Sequence, residues 1–299
     1  MRKERDSAHI FDWLHRRGMT CPLCLVIGFM LLNGSVFPQD SVKVSADTLA
    51  YHTSASAAPA FRTVENKAFG FGEKLLFDIS YGFFHAGEAV MAVSAIETVL
   101  TRPSYRLTFD VESTGAFSVI YKVRDHYESY VDVQGLFPWK FEQHIQEGGY
   151  RRDFSAVFDH FRGKAVTADG EFDIPPNVHD MVSAFYFVRT IDFAGKRPGE
   201  KVHLQNFHKD QTYLLDIKFL GKQTLEVDAG TFDCILVEPL VKEGGLFKSE
   251  GRIIIWLSDD ERKIPVKVST KVLIGSIDAE LKEYSGVLGP IPARHPDSN

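Results

Sequence analysis

Tyr105-Arg106-Leu107-Thr108-Phe109-Asp110-Val111-Glu112 alternates a large apolar residue with a polar one at all eight positions. Strict period-two alternation puts one face of an extended chain against a core and the other in water, the signature of a half-buried strand. The same pattern spreads outward. Upstream, Leu75, Phe77, Ile79 and Tyr81 oppose Lys74, Asp78 and Ser80. Downstream, Trp139, Phe141 and Ile145 oppose Lys140, Glu142, His144 and Gln146, and Tyr150, Phe154, Ala156 and Phe158 continue it. Further strand runs follow at 201–208, 211–220, 222–228, 231–240, 250–257, 264–273 and 276–284. Turn signals separate the runs: Gly148-Gly149, Asp169-Gly170, Ala229-Gly230 and Gly244-Gly245. Asp169-Gly170, flanked by short strand-like runs, is a hairpin cue. About a dozen strands with short connections predict a mainly β fold, a large curved antiparallel sheet that is barrel-like or a β-roll.

One segment departs from period two. Between Pro175 and Ile191 apolar residues fall at 178, 181, 182, 185 and 188, a spacing of three and four that predicts one central α-helix near 177–191. Asn177 stands where an N-cap belongs, with Asp180 three residues on as the acidic partner of a capping box. A single helix in a β-rich chain must pack its apolar face on the sheet or plug an open end.

Composition agrees with a globular β protein. The 299 residues are 44% hydrophobic and 25% charged, with 24 Phe and 10 Tyr. Aromatic enrichment suits pleated, half-buried strands. The formal charge is −6. No dense basic patch exists, so nucleic-acid binding, which needs clustered Lys and Arg to displace phosphate counterions, is excluded as an expectation.

The N-terminal region carries a targeting signal. Arg16 and Arg17 precede an apolar run from Pro22 to Leu32, which ends at the polar pair Asn33-Gly34. A basic start, a short apolar core and small residues beyond it predict a secretory signal peptide over 1–39 that meets the membrane during export. The run is shorter than the roughly 20 residues a spanning helix needs. Residues 40–68, rich in Ser, Ala and Thr, read as a flexible linker, followed by a single β-rich domain over 69–287 and a disordered tail over 288–299. Cys21 and Cys24 fall inside the signal, leaving Cys234 in a strand-like run as a buried, unpaired thiol.

Chemistry is sparse. The histidines are scattered without metal-ligand spacing, so no metal and no cofactor are expected. No G-x-S-x-G elbow and no Gly-rich phosphate loop occur. An envelope hydrolase assembled from Asp180, His126 and Ser183 is one alternative, and a structural scaffold is another. The densest polar cluster is Tyr121-Lys-Val-Arg-Asp-His-Tyr-Glu-Ser-Tyr130. Aromatic residues interleaved with Arg recognise amphiphiles or sugars by stacking and charge-assisted hydrogen bonds. Cross-strand pairing within a sheet explains the same residues. The ligand-binding candidates are Arg124, Tyr127, Asp180, Tyr186 and Arg189, and no catalytic residue is assigned.

Taken in order, five strings resemble a known family. They are Gly72-Glu-Lys-Leu-Leu-Phe-Asp-Ile-Ser-Tyr-Gly82 with Ala86-Gly87, Tyr121-Lys-Val-Arg-Asp125 with Tyr127-Glu-Ser, Asp180 to Arg189, Gly230-Thr-Phe-Asp-Cys234, and Trp256 to Val266. This order is similar to the bacterial envelope family called domain of unknown function 3108. The resemblance implies a β-rich fold, export from the cytoplasm and no assigned activity, with no catalytic residues to carry over. The combined expectation is a non-enzymatic protein, periplasmic or associated with the outer membrane, that binds a lipid-like or glycan ligand or an envelope partner.

Overall fold

A computed structural model describes residues 61–242, 252–272 and 275–296. The signal segment, residues 40–60 of the linker, the Gly244-Gly245 turn and residues 297–299 lie outside them. Among the described residues fourteen antiparallel strands form one sheet in the order β8-β7-β6-β5-β4-β3-β2-β1-β14-β13-β12-β11-β10-β9. They are β1 Lys74–Tyr81, β2 Phe84–Val99, β3 Arg102–Ser113, β4 Arg124–Asp132, β5 Pro138–Glu147, β6 Tyr150–Asp159 and β7 Lys164–Thr167. The rest are β8 Gly170–Asp173, β9 Lys201–His208, β10 Gln211–Val227, β11 Gly230–Lys242, β12 Ile253–Ser258, β13 Pro265–Lys271 and β14 Ser276–Ser285.

The alternation places side chains as expected. Leu107, Phe109 and Val111 face the core, and Arg106 turns outward to Glu128 at 2.6 Å. Gly87, in the first of the resemblance strings, sits where any Cβ would press into the Glu112 carbonyl across the β2–β3 pair. Two adjacent strand runs merge: 211–220 and 222–228 form the single strand β10, whose register against β11 shifts between Phe219 and Gly221. A bulge absorbs the extra residue and lets one long strand bend with the sheet.

The sheet curls without closing. Phe207 of β9 meets Phe158 of β6 and Phe172 of β8 at ring separations of 5.6 and 6.3 Å, and Thr167 bonds Asp210 across the same gap at 2.9 Å. The edge of β9 does not stand bare. His179 donates its backbone N–H to Gln205 O at 2.8 Å and accepts from Phe207 N at 2.7 Å. Chain approaching the helix therefore satisfies an edge that would otherwise recruit other strands.

Among the described residues two helices accompany the sheet, where one was expected. The short α1, Gly115–Ile120, links β3 to β4. The central helix α2 spans Met181–Val188 and is shorter than 177–191 at both ends. Its N-cap is Asp180, while Asn177 adopts a left-handed φ of 59° four positions before the helix begins. Asn tolerates this conformation, so it serves the turn instead of the cap.

The folded region is also wider than 69–287. Phe61 packs edge-on against Trp139 and Phe161, and Arg62 donates to the carbonyls of Gly135 and Leu136. At the other end Ala293 is buried and its carbonyl accepts from Asp233 N at 2.8 Å. Low apolar periodicity concealed both segments, because each docks through an irregular mix of apolar and polar side chains, Phe61, Arg62 and Val64 at one end and Ile291, Ala293 and Arg294 at the other.

Candidate functional site

Helix α2 crosses the inside of the curled sheet, and its start is fixed locally. Asp180 accepts from Val182 N and Ser183 N, both at 2.8 Å, and the Ser183 hydroxyl returns the favour to Asp180 N at 3.0 Å. This is a capping box with Ser183 in the third position. Ser129 of β4 donates to the remaining carboxylate oxygen at 2.6 Å, tying the cap to the sheet. Burial pushes the Asp180 carboxyl up to about 6, against the pull of these hydrogen bonds. Asp180→Ala strands three buried donors, so a loss of about 1–3 kcal/mol is expected in urea unfolding.

The other end of α2 is locked by charge. Arg189 grips Glu73 with two hydrogen bonds of 2.6 and 2.9 Å, and neither side chain reaches solvent. Its guanidinium also donates to the carbonyls of Ala68 and Arg262, each at 3.2 Å. The faces of Phe69 and Tyr186 lie 5.4 and 5.2 Å from it. Burial, followed by the nearby Glu73, pushes Tyr186 ionisation up.

The five candidate residues do not converge. Asp180 caps the helix, while Tyr186 and Arg189 are packed at its far end. Tyr127 is fully buried on the inner face of β4 beside Phe109, with ring centroids 6.0 Å apart. Arg124 points out of the sheet and pairs with Glu112 at 2.9 Å. The period-two rule explains the separation: Arg124 and Tyr127 are three residues apart on one strand, so they point to opposite faces.

The hydrolase constellation also divides across the sheet. His126 lies outside, bonded to Asp110 at 2.6 Å, whereas Asp180 and Ser183 are buried inside. His179 is the imidazole beside Ser183, with Nδ1 3.3 Å from the hydroxyl oxygen. Arg62 lies 3.1 Å from its Nε2 and can only donate, so the ring proton sits on Nδ1. That nitrogen has no lone pair to take a proton from Ser183. Burial and Arg62 hold the ring well below the usual histidine range. Cys234 is buried as well, its thiol pushed up to about 12 by burial. Among the described residues no cluster of three His, Cys, Asp or Glu side chains is placed to hold a metal ion.

What the fold does assemble is a cavity. A space of about 110 Å³ lies between α2 and the inner faces of β1–β3 and β10–β14, and every lining side chain is apolar. Met181, Phe185 and Val188 form the helix wall, opposite Phe77, Met91, Phe109, Leu215, Ile255 and Val268. Met181 and Phe185 are only half-buried, so this wall reaches the surface. The space exists because Ala89, Ala184 and Ala279 occupy inward positions where the alternation elsewhere supplies large residues. Those alanines were the available signal in the sequence. The strands that bring them together are remote in the chain, so the signal could not be joined up without the pairing.

No curated relative matches the sequence. A β-barrel-like protein of domain of unknown function DUF1849 from Brucella abortus superposes with a TM-score of 0.47 at 9% identity, covering 74% of this chain and 98% of that one. A DUF1089 family protein from Pseudomonas aeruginosa gives a TM-score of 0.34 at 14% identity, covering 70% and 95%. The family described as protein of unknown function DUF3108 matches over residues 76–282, which takes in β2–β13 entire, most of β1 and β14, and α1 and α2, and the chain belongs to that family.

Proposed function

We propose that this protein is an exported, non-enzymatic binding protein of the bacterial envelope that holds an apolar chain, such as the hydrocarbon of a lipid, beneath α2. The observation that carries the reading is the wholly apolar cavity of about 110 Å³ between helix and sheet. Apolar cavities of this order, such as engineered ones of about 150 Å³, stay dry and take hydrocarbon guests. The volume suits part of a hydrocarbon chain, leaving any polar head outside, past Met181 and Phe185. Export is supported by the Arg16-Arg17 and Pro22–Leu32 segment. Catalysis is disfavoured because Ser183, His179 and Asp180 are mutually satisfied and buried.

Filling the cavity tests the proposal. Ala279→Phe and Ala89→Phe place a ring where the guest would lie. A fluorescent fatty acid should bind the natural chain and bind either variant at least about tenfold more weakly, which is the 1.4 kcal/mol lost when a few methylenes are excluded. Both variants should keep the far-UV spectrum of the natural chain. Equal binding by natural and filled proteins, or no binding by either, would remove the carrier reading.

A further inference from the structure

Four large apolar side chains stand in solvent on one rim of the sheet. Phe83 is fully exposed at 104% and Phe84 at 72%, on the turn between β1 and β2. Val119 and Ile120, at 87% and 60%, end α1. The two elements are neighbours: α1 packs on β2, Thr114 N donates to Ala86 O at 3.1 Å, and His85 Nε2 lies 2.7 Å from the Thr114 hydroxyl. Tyr81 pairs with Phe84 across a two-residue loop in which Gly82 takes the positive φ that primed hairpin turns require. The turn is therefore tight, and it holds the two phenyl groups out. Helix α1 tucks Phe117 against the core and turns Val119 and Ile120 away from it.

From these observations we infer that this rim is a membrane-docking surface, whose occupant is the headgroup and upper acyl region of an anionic bilayer. The charge pattern fits. Residues 82–84 and 114–123 contain Lys122 and no acidic side chain. Lys122, Arg151 and Lys271 are exposed at strand ends along the same rim, and Arg124 there is balanced by Glu112. Basic residues beside a bilayer are attracted by its anionic lipids. The shape fits as well. Four exposed side chains at the ends of two neighbouring elements fall short of the roughly 20–30 residues a side of a stable protein interface. Shallow insertion of apolar side chains to the depth of the headgroups requires no such area. The docking surface does not depend on the cavity holding a guest.

A tryptophan reporter in the full chain tests this. Phe83→Trp should show a blue shift of its added emission on vesicles of phosphatidylethanolamine and phosphatidylglycerol, and quenching when the acyl chains carry bromine. Phe71→Trp, exposed at 64% before the opposite end of β1, should show neither. Lys122→Glu combined with Lys271→Glu should weaken the Phe83→Trp response at least about tenfold on these anionic vesicles. Ala279→Phe added to the reporter should leave the response intact, which separates this result from failure of the cavity reading. A Phe83→Trp emission that ignores vesicles overturns the proposal. So does a shift that follows protein concentration without lipid, which would assign the rim to a second copy of the chain.

Discussion

Glu73→Ala is expected to lower the stability of the protein by about 3–5 kcal/mol, the usual cost of leaving one partner of a buried ion pair uncompensated. The Arg189 guanidinium would remain sealed from water with its charge unanswered, holding only the carbonyls of Ala68 and Arg262. These contacts join three parts of the chain: the end of α2, the segment leading into β1 and the turn after β12. Loss should therefore appear as one cooperative shift of the urea midpoint and not as local fraying. Replacing both charges, Glu73→Leu with Arg189→Met, should cost clearly less than Glu73→Ala alone, because no bare charge is left behind. A Glu73→Ala protein within about 1 kcal/mol of the natural chain would show that water reaches the pair and that its charge is not buried.

Acid should unfold the protein steeply. Burial lowers His160 to about 4 and His208 to about 3, and burial together with Arg62 holds His179 well below its ordinary range. A histidine whose folded value is depressed is neutral in the native state, while the unfolded chain takes its proton near the ordinary value of 6.5. Its contribution is fully present above about 6.5 and is lost as the pH falls toward the folded value. Asp180 works the other way. Raised to about 6, it binds its proton first in the native state and adds stability as the pH falls from there toward 3.8. Each proton is worth about 1.4 kcal/mol per pH unit. Three histidines against one carboxyl leave a net fall on the order of 2–3 kcal/mol per unit between about pH 6 and pH 4. Urea midpoints measured at intervals across this range give the slope, and His160→Gln with His208→Gln should flatten it. Stability that holds level or rises down to about pH 5 would contradict the burial of these rings.

Much of the fold was legible because strand alternation is a local property. Leu107, Phe109 and Val111 announce an inner face regardless of partner, and the three-and-four spacing after Val178 announces a helix wherever it packs. Capping was legible in kind and displaced in place. Asp180 and Ser183 supply a capping box as readily as Asn177 and Asp180 do, and the choice went to the pair that Ser129 of β4 and the edge of β9 could also hold. The roles of charged residues were not legible at all. Arg189 and Arg124 look alike in sequence, yet one meets Glu73 in the dry interior and the other meets Glu112 in water. Only the strand order brings residue 73 to residue 189, or sets Ala89 and Ala279 around one space. The sequence by itself therefore determined the antiparallel β class, the central helix and the inward and outward side of most strand residues. Tertiary structure decided which buried charges are paired, where the cavity lies and which apolar tips remain in solvent, because those depend on contacts between segments the local pattern cannot relate.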